Sequence, residues 1–277
     1  MKFKRNRRLI LMSQYLFQNP HRLLSFSTFT ERFQVAKSTV SEDVAILKEQ
    51  FQEDGLGELD TLPGAAGGLI YKPCLPLADA REWIEGLCEE LSDQKRFLPG
   101  GYFYLTDILG SPEKLRQIGR IVASHYRDLK ATHLMTIASK GIPFAQCVAY
   151  ELNIPFLIVR RDSKVTEGPT ISINYATKGQ QRVENMELTK HSLKACDRVL
   201  LVDDFLNGGG TLTGMTHLVK EFNSECLGAC VLGESLEPKR EVPVAYRSLI
   251  QIEKTPDGQA LEAVKPGTLL AANSSKE

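Results

Sequence analysis

Residues 198–212 read RVLLVDDFLNGGGTL, and the fold is decided there. Val199 to Val202 form an apolar run of strand length, which delivers two carboxylates, Asp203 and Asp204, at its C-terminal end. Phe205 and Leu206 lead into Asn207-Gly208-Gly209-Gly210, and Thr211 opens a helix. Strand, glycine-rich turn and helix in that order belong to an open α/β sheet, whose ligands sit at the carboxyl ends of strands. Backbone amides of the turn and the helix N-terminus make an anion pocket suited to a phosphate. Two carboxylates beside it cannot take the phosphate, but they accept bonds from vicinal hydroxyls. The implied ligand is a ribose 5-phosphate. A Walker loop is excluded because no Gly-Lys-Ser/Thr closes the turn, and no G-x-G-x-x-G occurs.

The flanking sequence agrees. Apolar runs of strand length recur at His133–Ala138, Pro155–Arg160, Leu227–Gly233 and Ser248–Glu253, with helical patterns between. Ser111–Lys130, for example, begins with Ser111 as N-cap and Pro112 at the first helical position. Such alternation predicts a mostly parallel sheet. After the run at 133–138 comes Ser139-Lys140-Gly141, where Lys140 offers a point charge and the amides around Gly141 offer donors. Arg160, Arg161 and Lys164 add cations toward the same mouth. Tyr102, in the glycine-rich stretch Pro99–Tyr104, and Phe205 are placed to cover the pocket or stack on a base, with core packing the alternative.

The 277 residues carry 34 Lys+Arg against 34 Asp+Glu, with 42% apolar and 25% charged residues, an ordinary globular composition. The zero is a cancellation. Residues 1–50 hold nine Lys/Arg against four Asp/Glu, and the remainder holds 25 against 30. A basic front end suggests a polyanion partner. Cys74, Cys88, Cys147, Cys196, Cys226 and Cys230 are dispersed without a C-x-x-C pair or a nearby His at ligand spacing, which argues against a zinc site and for reduced thiols. Cys226 and Cys230 read as part of a buried strand. No apolar run approaches the length of a membrane span, and the basic start followed by Leu9–Met12 lacks a cleavage site. The expectation is a cytoplasmic protein that meets no membrane.

Pro73-Cys74-Leu75-Pro76 separates two segments, giving expected domains at 1–73 and 74–277. In the first, Leu9, Met12 and Leu16 predict a helix over Asn6–Phe17, and a second fits Ser27–Phe33. A third begins at Ser38 or Thr39 and puts Val40, Val44, Leu47 and Phe51 on one face, leaving Ser38 and Glu42 opposite. Leu59–Leu62 and Leu69–Tyr71, joined by Pro63-Gly64-Ala65-Ala66-Gly67-Gly68, make a wing. This is the outline of a winged helix-turn-helix, whose third helix enters the major groove. Lys4, Arg5, Arg7, Arg8 and Lys37 are the expected phosphate contacts, Ser38 and Thr39 reach bases or phosphates, and Glu42 can accept from a cytosine amine. Gly64 and Gly67 let wing amides approach a phosphate closely. A capping box at Thr39-x-x-Glu42, and a dimerisation rather than DNA-binding role, are the competing readings.

The 198–212 stretch resembles the phosphoribosyl pyrophosphate signature of type I phosphoribosyltransferases, and Ile137–Ile142 resembles their pyrophosphate loop. The chain from Met1 to about Glu253 also resembles the PurR family, the purine operon regulators of Gram-positive bacteria. Lys37–Asp43, Leu62–Gly68, Val165-Thr166-Glu167-Gly168 and Asp203-Asp204 carry that likeness. It implies a homodimeric regulator, expected to repress purine synthesis and salvage genes by binding double-stranded operator DNA upstream of them. It implies phosphoribosyl pyrophosphate as effector, with or without Mg2+, in a non-catalytic pocket that has no resident metal. Guanosine tetraphosphate is an expected competitor. Two departures from adenine-type transferases bear on catalysis: Gly208 stands where Thr is usual, and Thr177 stands near the acidic residue of the flexible loop. The alternative is an active purine phosphoribosyltransferase with an added dimerisation module.

Overall fold

The computed structural model describes residues 3–64, 67–161, 168–176, 183–236 and 242–271. The expected contact Lys164, the Val165–Glu167 stretch, Thr177 and the wing residues Ala65 and Ala66 lie outside them. The chain divides into two compact units: Met1–Pro76 grouped with Tyr150–Asn153, and Leu77–Ala149 with Ile154–Glu277.

In the first unit α1 (Arg5–Phe17), β1 (Leu24–Ser25), α2 (Phe26–Phe33) and α3 (Lys37–Glu53) precede β2 (Glu58–Leu62) and β3 (Gly68–Lys72). Ser25 caps α2 by accepting from the Ser27 amide at 3.2 Å, and Gln34 ends it in the left-handed region at φ 54°. The apolar stripes meet in one core: Met12, Leu16, Phe29, Phe33, Val40 and Leu69 are fully buried. Each such side chain contributes roughly 1.5–3 kcal/mol of burial free energy. Two strands would be marginal alone, but β1 pairs with β3 to make a three-stranded sheet in the order β1-β3-β2. A Cβ on Gly67 would stand 2.2 Å from the Leu62 carbonyl oxygen, and one on Gly68 2.3 Å from that of Leu24, so both glycines are required by close backbone packing. Gly64 has φ +109° and open space around it.

Helix α3 starts at Lys37, with Ala36 as N-cap and no side-chain cap. Thr39 is therefore inside the helix, and the Thr39-x-x-Glu42 capping box does not form.

The second unit begins with α4 (Leu77–Leu91), β4 (Phe97–Leu98), β5 (Tyr102–Phe103), α5 (Thr106–Leu109) and α6 (Pro112–Tyr126). Next come β6 (His133–Ile137), α7 (Gly141–Leu152), β7 (Phe156–Val159) and the antiparallel hairpin β8 (Thr170–Ala176) and β9 (Val183–Thr189). The chain then forms β10 (Arg198–Leu206), α8 (Gly210–Glu221), β11 (Glu225–Ser235), β12 (Tyr246–Lys254) and β13 (Leu261–Pro266). Ser111 caps α6, with Pro112 at its start. The sheet order is β13-β12-β11-β10-β6-β7, parallel throughout except for the β12–β13 edge. Val199 to Val202 are wholly buried, as a strand covered on both faces must be. Cys226 and Cys230 lie on β11, and all six cysteines are free thiols.

Chain order runs outward from β6 to β7 on one side and from β10 to β12 on the other, so the sheet reverses direction between β6 and β10. In open α/β sheets the crevice at that reversal is where ligands bind. Strand β10 pairs with β6 over Val199–Leu201, and the same register carried on sets Asp203 level with Ile137, the last residue of β6, with Asp204 just beyond it.

Candidate functional site

The C-terminal part of β10 carries Asp203 and Asp204 at the level where β6 ends, and the loop that follows β6 contains Ser139-Lys140-Gly141. The reversal thus brings together the two segments expected to bind anion and sugar. Asp203 is buried, and its Oδ1 accepts from the Asp204 amide at 3.0 Å. Burial first, and the neighbouring Asp204 charge second, push its carboxyl well above the usual carboxylate range; the Arg161 charge opposes the rise. Asp204 is half-buried and accepts from Ser139 Oγ at 3.3 Å, while that same oxygen accepts from the Gly141 amide at 3.1 Å. A Cβ on Gly141 would meet Thr136 Oγ1 at 3.1 Å, the Asp204 amide at 3.2 Å and Asp203 Oδ1 at 3.3 Å. Gly141 is there because the α7 N-terminus must come down onto the acid pair.

Gly209 is the N-cap of α8 with φ 81°, a left-handed conformation that glycine adopts without strain. The helix starts at Gly210, one residue earlier than expected at Thr211, and no side chain caps the amides of its first turn. Thr213 anchors this turn by donating from Oγ1 to the Gly209 carbonyl at 2.9 Å. The arrangement supplies hydroxyl acceptors at Asp203 and Asp204 and anion donors at two helix N-termini. Lys140 Nζ lies 3.1 Å from Thr106 Oγ1 of α5. Asn207 and Gly208 sit in the turn.

Of the aromatic pair, Phe205 is half-buried against β11, where a Cβ on Gly233 would stand 3.2 Å from its ring. Tyr102 is 70% exposed on β5, which removes core packing as its role. A cavity of about 730 Å³ lies between the β4–β5 hairpin and the loop after β12, lined among others by Phe97, Gly101, Lys254 and Gln259. None of the expected pocket residues lines it.

Three participants escaped sequence reading. Thr136 is wholly buried beneath Gly141, with Oγ1 making no hydrogen bond. Arg161, expected only as a general cation, acts on Asp203 and has its Nε 3.4 Å from Glu184, which Tyr175 also contacts through its hydroxyl. Asp43, on α3, is the third.

In the first unit the expected DNA contacts separate into two groups. Lys4, Arg7, Lys37 and Ser38 are exposed, Thr39 is half-exposed, Arg7 lies over the Phe3 ring at 4.7 Å and Lys37 over that of Phe26 at 5.4 Å. Arg8 requires correction as a phosphate contact. It is buried, donating from Nε and Nη2 to fully buried Asp43 at 2.6 and 3.0 Å and from Nη1 to the Phe3 carbonyl at 2.9 Å. Arg5 is exposed but paired with Glu42 at 2.9 Å.

A winged helix-turn-helix and a type I phosphoribosyltransferase fold thus share one chain. Residues 4–73 match the family described as Bacterial purine repressor, N-terminal, and residues 105–259 match the phosphoribosyl transferase domain. The chain is 47% identical to the probable purine biosynthesis transcriptional regulator PurR of Streptococcus pneumoniae, over 91% of this chain and 92% of that protein. It is 44% identical to the purine biosynthesis transcriptional repressor PurR of Bacillus subtilis, over 91% and 88%. The corresponding activator of Lactococcus lactis is 42% identical over 91% and 93%. Among solved structures, an adenine phosphoribosyltransferase from Rhodothermus marinus superposes with a TM-score of 0.52 at 23% identity, over 63% of this chain and 99% of the other, which shows a shared fold. The chain belongs to the PurR family of bacterial purine biosynthesis transcriptional regulators, proteins with a DNA-binding winged-helix domain and a phosphoribosyltransferase-type domain. No helix among the described residues is long and apolar enough to cross a membrane.

Proposed function

We propose that this regulator senses phosphoribosyl pyrophosphate in a pocket that binds but does not catalyse, and that occupancy weakens its hold on operator DNA upstream of purine genes. It acts as a homodimer in the cytoplasm, and the sense of control is repression. The observation that carries the reading is the acid pair Asp203–Asp204 at the sheet reversal, beside the Gly209-led N-terminus of α8. The carboxylates accept the ribose hydroxyls. Amides from Gly208 to Thr211 hold the 5-phosphate, and Ser139, Lys140 and Gly141 hold the pyrophosphate. Phe205 and Tyr102 offer faces to a base, which suits guanosine tetraphosphate as a competitor.

The donors present fit a Mg2+ ion carried in by the ligand. Among the described residues no three His, Cys, Asp or Glu side chains cluster around one point, while two carboxylates suffice for an ion that keeps ligand and water oxygens. Asp203 and Asp204 would hold such an ion, which would supply positive charge against the pyrophosphate.

Binding without turnover follows from what is missing. Gly208 supplies no hydroxyl to the 5-phosphate, and Thr177 stands where the transferases place an acid. Affinity for the ground state alone lowers no barrier. By linkage, if the effector weakens DNA binding by some factor, DNA weakens effector binding by the same factor. A footprint on purine-gene promoters with and without phosphoribosyl pyrophosphate tests the reading: protection should disappear with effector and persist with effector when Asp203 and Asp204 are both replaced by Ala. Nucleotide formation from phosphoribosyl pyrophosphate plus adenine, guanine or xanthine would instead favour the enzyme.

A further inference from the structure

Arg5 and Glu42 form an ion pair at 2.9 Å with side chains 51% and 65% exposed, on adjoining faces of α1 and α3. Arg5 Nε also lies 3.6 Å from Asp43, but both oxygens of Asp43 are already engaged by Arg8. Glu42 is therefore the carboxylate that neutralises Arg5. It stands one helical turn beyond Ser38 on the solvent side of α3, the face that a winged helix turns toward the major groove.

The pair poses an electrostatic problem for DNA binding. While Glu42 holds it, the Arg5 charge is neutralised and attracts a backbone phosphate only weakly. Glu42, once released, cannot stay close to phosphates without repulsion. A base amine resolves both difficulties, because an exocyclic amine in the major groove, such as cytosine N4, donates to a glutamate. An exposed ion pair is weak enough to open for such an exchange.

We propose that the Arg5–Glu42 pair is a specificity gate: it opens on DNA that presents an amine donor beneath Glu42, and Arg5 then passes to a phosphate. Base reading and phosphate contact become one event. On other sequences the pair stays closed, and both contacts are lost together. The inference rests on the winged helix reading DNA through α3.

The test uses full-length wild type, Glu42→Gln, Arg5→Gln and the double variant. Affinity is measured for a purine-promoter fragment and for unrelated DNA between about 50 and 200 mM salt. Glu42→Gln should bind unrelated DNA more tightly and with a salt slope steeper by about 0.9, which is roughly a 3.5-fold greater loss across that range. Promoter preference should fall, because unrelated DNA gains the Arg5–phosphate contact that the promoter already has, while the amide oxygen introduced by the substitution can still accept from a base amine. The double variant should show neither gain. A Glu42→Gln gain that persists without Arg5 would reveal plain charge repulsion and overturn the gate, as would unchanged binding to unrelated DNA. Absence of salt-dependent promoter binding in every variant, wild type included, would remove the DNA reading itself.

Discussion

Replacing Asp43 by Asn should unfold the winged unit at a markedly lower temperature while leaving the larger unit intact. Asp43 is 0% exposed and takes two hydrogen bonds from the guanidinium of Arg8, a residue only 7% exposed. Asn keeps the shape and one acceptor, but its amide NH2 then faces an Arg8 donor and the arginine charge has no partner in the core. Removing one member of a buried pair in this way costs about 3–5 kcal/mol. A unit of about 80 residues has about 4–12 kcal/mol in all, so the change consumes much of its stability. At about 4–8 °C per kcal/mol, the transition should fall by at least ~12 °C. The protein's single tryptophan, Trp83, lies on α4 in the other unit and provides the control. Far-ultraviolet circular dichroism should show an early loss of helix at a temperature where Trp83 fluorescence does not change. The double replacement Arg8→Met with Asp43→Leu should recover most of the loss, because a buried ion pair exchanges for packed apolar groups at little cost. A variant Asp43→Asn that melts within about 2 °C of wild type by circular dichroism would refute the buried-pair reasoning.

Two further predictions concern the acid pair. The folded state holds the Asp203 proton more tightly than the unfolded chain, whose ordinary value is 3.8, so this group's contribution to stability falls as pH rises above that value. Asp203→Asn removes the cost of charging a buried carboxyl beside a second one. It should raise the melting temperature more at pH 8 than at pH 5 while abolishing the effector response; calorimetry showing equal melting at both pH values would contradict it. Gly141→Ala places a methyl group among Thr136, Asp203 and Asp204 at 3.1–3.3 Å, so the loop must shift by a few tenths of an ångström. The effector concentration for half-release of DNA should rise about tenfold, equivalent to ~1.4 kcal/mol, with the melting temperature nearly unchanged.

The strand–acid–glycine–helix stretch was legible because its signals are local: an apolar run, two charges and three glycines in fifteen consecutive residues. The three α-helices and the wing of the first unit were legible for the same reason. The start of α3 was missed because Thr39 and Glu42 have the spacing of a cap, whereas the helix starts at Lys37 after an extended Ala36 that offers no side-chain cap. Arg8 was misread because charge alone suggested phosphate, although its position four residues before Met12 puts it on the stripe that α1 buries. The complementary signal was present: Asp43 interrupts the Val40–Val44–Leu47 stripe of α3, so two apolar faces each carry one charge of opposite sign. Thr136 left no such trace, and Arg161 was legible only as a cation near the mouth. They reach the acid pair through sheet order, which sets β6 beside β10 and β7 one strand further out, across some forty to seventy residues of chain. The cavity beside Lys254 depends on a similar long-range approach of β4–β5 to the loop after β12.

Coupling between the acid pair and the winged helix is the central claim, and one titration tests it directly. Full-length protein bound to a labelled purine-promoter fragment is titrated with phosphoribosyl pyrophosphate and Mg2+, in parallel with the Asp203→Ala, Asp204→Ala double variant. The account predicts release of DNA from the wild type and continued binding by the variant, whose affinity without effector equals that of the wild type. Release from both proteins at the same effector concentration, or from neither, would contradict it.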